Sequence, residues 1–88
     1  MLEAVKLAIP VSTDYYDTEL TSLIEAATKD LALVGIDVSS PDALVQRAII
    51  TYVKSHFGSP SNYDDLKASY DEQKAQLSMS ADYTNFGG

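Results

Sequence analysis

Asp17-Thr18-Glu19-Leu20-Thr21-Ser22-Leu23-Ile24-Glu25-Ala26-Ala27-Thr28-Lys29-Asp30-Leu31-Ala32-Leu33-Val34-Gly35-Ile36 carries the plainest pattern in the chain. Leu20, Leu23, Ile24, Ala27, Leu31 and Val34 recur at intervals of three and four, so they share one side of a helix, opposite Thr21, Glu25, Thr28 and Lys29. Gly35 can take the left-handed conformation that closes a helix, and Ile36 can then fold back onto the last turn. The spacing predicts a helix from about Asp17 to Val34. Asp14 or Asp17 is its expected N-cap, with acid in the first turn.

Upstream, Leu2 to about Ala8 places Leu2, Val5 and Ile9 on one face and stops before Pro10. A helix this short needs packing to persist. Downstream, Ser40-Pro41-Asp42 reads as a helix start, with a serine cap and proline at the first helical position. The third helix runs from there to about Phe57. Its apolar residues (Ala43, Leu44, Val45, Ala48, Ile49, Ile50, Tyr52, Val53, Phe57) cover more than half its circumference. Such a helix is central in the fold or shared with a neighbouring subunit. Leu23, Ile24, Ala27 and Leu31, with Ile49, Tyr52 and Val53, are therefore the expected core or intersubunit positions. Gly58-Ser59-Pro60 ends the third helix. Ser61 or Asn62 can cap a fourth, which extends to about Ser78 along a thin seam of Tyr63, Leu66, Tyr70 and Leu77.

The β-branched residues of the third helix do not alternate, and no Asn-Gly or Asp-Gly hairpin turn occurs. The fold class is all-α: a small bundle of about four helices, one short and three longer, over residues 1–78. Residues 79–88 read as a flexible, partner-docking tail. They have no periodicity, yet keep Met79, Tyr83 and Phe86, and apolar side chains in a loose segment point to a surface that orders them.

Size points the same way. Ordering 88 residues costs about 130 kcal/mol at ~1.5 kcal/mol each. Size scaling gives roughly 8,700 Å² buried, about 5,000 Å² of it apolar, which returns about 125 kcal/mol. The terms nearly cancel, so subunit contacts would add needed stability.

Thirteen acidic residues against six basic give a formal charge of −7, which opposes tight binding to nucleic-acid phosphates but not DNA passing nearby. There is no cysteine, hence no disulfide, thiolate nucleophile or Cys-type zinc site. No apolar run reaches the ~20 residues of a membrane span, and the N-terminus lacks the pattern of a signal peptide. The expectation is a soluble protein made inside the cell.

No catalytic residue, metal site or cofactor is expected. His56, the single histidine, has no identifiable nucleophile or orienting partner and sits where a helix C-terminus favours a cation. Adjacent carboxylates in Asp64-Asp65 and Asp71-Glu72 diverge by ~100° on a helix and read as a solvated face. A helix-turn-helix from the second and third helices would offer only Arg47 and Lys54, with Asp42 where phosphates come closest. Tyr15 and Tyr16 read as covering the end of the bundle, with an intersubunit contact as the alternative.

The order of these features resembles the head–tail connector (head-completion, DNA-packaging adaptor) proteins of tailed bacteriophages. It is carried by Leu2-Glu3-Ala4-Val5-Lys6, the acidic linker, Asp17 to Ala27, and Ala48-Ile49-Ile50-Thr51-Tyr52-Val53-Lys54-Ser55-His56-Phe57-Gly58. The most specific piece is Leu66-Lys67-Ala68-Ser69-Tyr70-Asp71-Glu72-Gln73-Lys74-Ala75-Gln76-Leu77, then Met79, Ser80 and Tyr83-Thr84. The resemblance implies a non-enzymatic virion protein, made in the bacterial host cytoplasm and placed at the head–tail interface. It implies a homo-oligomeric ring, usually of twelve, beneath the portal protein, which extends the DNA channel and receives a head-closure or tail-completion protein. The isolated protein can be monomeric, since ring closure can need the portal as template. C-terminal segments of the family help bind the portal or neighbouring subunits, a role that falls here on Tyr83 and Phe86, with Met79 as the lesser candidate. The alternative from composition is a small acidic regulator or inhibitor that binds a basic protein surface as a DNA mimic.

Overall fold

A computed structural model describes residues 1–9, 11, 13–39 and 41–84. Four helices follow one another: α1 (Leu2–Ala8), α2 (Asp17–Leu33), α3 (Ala43–His56) and α4 (Tyr63–Ser78), and a short 3-10 turn (Ala81–Tyr83) comes after them. The architecture is the expected all-α bundle. Helix α3 lies at its centre, packed by α2 on one side and α4 on another, with α1 laid across α2 and α3.

The apolar stripes meet where their spacing places them. Leu20, Ala27 and Leu31 of α2 are buried against Val45, Ala48, Ile49 and Val53 of α3, while Leu23, Ile24 and Tyr52 pack at the margin. Val5 carries α1 into the same core. Helix α4 contributes only Tyr70 and Leu77 of its seam as buried residues. Tyr63 was expected in that seam but stands 41% exposed, because α4 begins past the end of α3, where only the edge of His56 meets its ring at 6.5 Å.

Helix α2 closes as its glycine predicts. Gly35 has φ +86°, its N–H reaches the Ala32 carbonyl at 2.9 Å, and the Ile36 N–H reaches the Leu31 carbonyl at 3.3 Å. Ile36 folds back and is fully buried.

Helix starts differ from expectation in two places. The cap of α3 is Asp42, whose Oδ1 accepts from the backbone N–H of Leu44 (3.0 Å) and Val45 (3.2 Å). Ser40 lies outside the described residues, and Pro41 precedes the helix instead of opening it. A carboxylate two and three residues before free amides is a stronger acceptor than a hydroxyl, so the helix begins later. The cap of α2 is Tyr16, with no side-chain bond. Asp14 and Asp17 are drawn instead to the Lys6 ammonium, at 3.0 and 2.9 Å, and fasten α1 to the start of α2.

Candidate docking surface

The contacts among the helices define two ends of the bundle. One gathers the last turn of α2, the first turn of α3 and the last turn of α4. The other gathers the end of α1, the start of α2, the end of α3 and the start of α4. There Tyr16 lies edge-on to Phe57 with ring centroids 5.2 Å apart and covers the end as expected, while Tyr15 lies edge-on to Tyr16 and is 83% exposed.

The first end holds Tyr83, and here the structure corrects the tail. Residues 80–84 do not hang free. The Tyr83 carbonyl accepts from the Asp37 N–H at 2.7 Å, and Thr84 pairs with Ile36 in an isolated antiparallel bridge. The Tyr83 hydroxyl donates to Asp42 Oδ2 at 2.5 Å, and the ring packs against the core. The physical reason is that Asp42 caps α3 with one oxygen and holds Tyr83 with the other, so one carboxylate fastens both elements. Phe86 lies outside the described residues. Met79 is at the surface, 84% exposed at the C-cap of α4.

The same end exposes two leucines that the sequence reading did not single out, Leu33 (84%) and Leu44 (57%). Leu33 lies off the apolar stripe of α2, and that displacement was the available signal. Around them stand Asp37, Asp42 and Asp82. Asp37 Oδ1 accepts from the N–H and hydroxyl of Ser39, which holds its carboxyl below the usual range. The Tyr83 hydroxyl does the same for Asp42, aided by the Val45 and Leu44 amides.

A second cluster joins α2, α3 and α4 along the side. The Tyr70 hydroxyl donates to Asp30 Oδ2 at 2.5 Å, and Lys74 Nζ reaches the same oxygen at 3.2 Å. Burial, then the bond to Asp30, pushes the Tyr70 hydroxyl far above the ordinary phenol value, so it remains a donor. Tyr52 meets Tyr70 edge-on and stacks on His56 with centroids 4.1 Å apart. His56 Nδ1 lies 2.9 Å from the Tyr52 carbonyl and 2.8 Å from the Ser55 hydroxyl. Ser55 in turn donates to that carbonyl at 2.7 Å. Every polar partner here is local or already engaged, which describes a structural seam that fastens α4 to the bundle.

Asp30 gives that seam a pH dependence. The hydrogen bond from Tyr70, then Lys74, depresses its folded value below the ordinary 3.8. A carboxylate depressed in the folded state stabilises fully above its unfolded value, and the contribution drains as pH falls through the lower folded one. Asp30→Asn is thus expected to lower the melting temperature by a few degrees near neutrality. The difference should shrink as pH falls below the ordinary value of 3.8. Circular-dichroism melts of both proteins at the two pH values check this, and a pH-independent gap would contradict it.

A family profile described as "Phage connector protein" matches residues 1–84. No curated protein and no solved structure matches the chain. The matched span contains all four helices and the docked turn at Tyr83, so the whole described fold falls within it. On that coverage the chain belongs to the phage connector protein family, a structural component of the bacteriophage virion.

Proposed function

We propose that this protein is a non-enzymatic head–tail adaptor that assembles as a ring beneath the capsid portal, continues the DNA channel, and offers its far side to a head-closure or tail-completion protein. The observation that carries the reading is where large apolar side chains stay exposed. Leu7 and Tyr15 lie at one end of the bundle, and Leu33, Leu44 and Met79 at the other, each more than half exposed. Single exposed leucines are ordinary, but exposure gathered at both ends suits a part held between two others. Membership of the connector family supplies the setting.

Within this reading Met79 meets the portal or a neighbouring subunit, together with Phe86, and Tyr83 braces the segment that presents them. Leu23, Ile24 and Tyr52, half-buried beside the core formed by Ala27, Leu31, Ile49 and Val53, sit where a neighbouring protomer would complete their burial. The net charge of −7 suits a conduit that lets DNA pass without retaining it.

Native mass spectrometry of the protein with and without the portal of the same phage tests the proposal. Alone it is expected as a monomer or small oligomer, and with the portal as a complex carrying a ring of copies, twelve by the family's habit. A portal that takes up no copies at micromolar concentration would remove the basis for the role.

A further inference from the structure

We infer that the apolar groove beside Tyr83 is a docking site for a protein segment that carries a large apolar side chain next to a basic one. The groove, about 260 Å³, lies between α3 and α4, with Leu44, Arg47, Gln73, Leu77 and Tyr83 among its walls. Its floor is apolar, and Leu44 on its rim is more than half exposed.

Charge sets the sign of the neighbouring group. Tyr83 also borders a smaller notch whose walls include Asp37, Asp42 and Asp82. None of these three carboxylates forms an ion pair among the described residues. Arg47 is the one cation lining either cavity. Three negative groups against one positive, in a chain of charge −7, favour a cation both at contact and on approach within the ~8 Å screening length. The apolar side chain would enter between Leu44 and Leu77, and the cation would pass Tyr83 toward Asp37 and Asp82, away from Arg47. This deepens the connector reading and rests on it only for the source of the partner, a virion protein facing this end.

The test needs no virion protein. The full chain, labelled with nitrogen-15, is titrated with 3-phenylpropylamine (a ring with an ammonium) and with 3-phenylpropionate (the same ring with a carboxylate). The amine is expected to move the amides of Leu44, Gln73, Leu77 and Tyr83, and to bind about fivefold more tightly than the carboxylate. The preference should narrow as salt rises from about 50 to about 500 mM. It should vanish in Asp37→Asn/Asp82→Asn, with helical circular dichroism retained. Equal affinities, a preference for the carboxylate, or shifts confined to another face would overturn the inference. So would a groove already filled by residues 85–88, which would show as shifts of the same amides, with no probe present, when the chain is cut after Thr84. Any of these failures leaves the portal experiment and the connector role intact.

Discussion

Ile49→Asp is expected to abolish the cooperative thermal unfolding of the bundle. Ile49 sits near the middle of α3, 1% exposed, within a core built jointly by α1, α2, α3 and α4. A carboxylate there would have no cation near it. The Tyr70 hydroxyl and the Lys74 ammonium of α4 are already engaged by Asp30. Burying an unpaired charge falls in the class of substitutions that cost upward of about 4 kcal/mol. The whole stability of an 88-residue domain is on the order of 4–13 kcal/mol, so most or all of it would be lost. Ile49→Val provides the control, since removing one methylene from the same site should cost only about 0.5–1.5 kcal/mol and leave a sharp transition. Circular-dichroism melts at 222 nm of the three proteins decide the matter. A normal melt from the aspartate variant would mean that α3 is not the central helix.

The centrality of α3 was readable because its apolar residues exceed what one face can hold, and only a helix covered from several sides buries so many. The closure of α2 was readable for a different reason. Gly35 followed by Ile36 satisfies a local geometric requirement, φ +86° at one residue and an apolar contact at the next, which depends on nothing distant. What could not be read was set at long range. Local residue type points to Ser40 as the cap of α3, whereas the cap is Asp42. The choice of Asp42 is reinforced by Tyr83, forty-one residues away, whose hydroxyl takes its second oxygen. The docking of residues 80–84 leaves no periodic trace, because it rests on one bridge, closed by the Asp37 N–H to Tyr83 carbonyl bond, on one side-chain bond and on the packing of one ring. The exposed leucines lie between these cases. Leu33 departs visibly from the stripe of α2, whereas Leu44 is hidden among the many apolar residues of α3.

Truncation after Met79 is expected to separate the anchoring role of the C-terminal turn from any role in binding. Removing residues 80–88 deletes the Tyr83 hydroxyl bond to Asp42 and the Thr84 bridge to Ile36, with the Asp37 N–H to Tyr83 carbonyl bond that closes it. Ile36, fully buried in the intact chain, would lose part of its cover. The four helices keep their mutual packing, so helical content at room temperature should be retained, while the melting temperature falls by roughly 5–15 °C. Cutting instead after Thr84 removes Phe86 and spares the Tyr83 bonds to Asp42 and Asp37, so the melting temperature should stay within about 2 °C of the intact protein. Portal capture by the two truncated forms then assigns the binding group. If both lose the portal, Phe86 carries the contact. If only the longer deletion does, the portal requires the braced turn at Tyr83, and the exposed Met79 is insufficient without it. Full-strength capture by both forms would take residues 80–88 out of portal binding, and would leave that role to Met79, Leu33, Leu44 or the opposite end of the bundle. Unchanged melting of the longer deletion would show, separately, that the Asp42–Tyr83 bond contributes nothing to holding the fold.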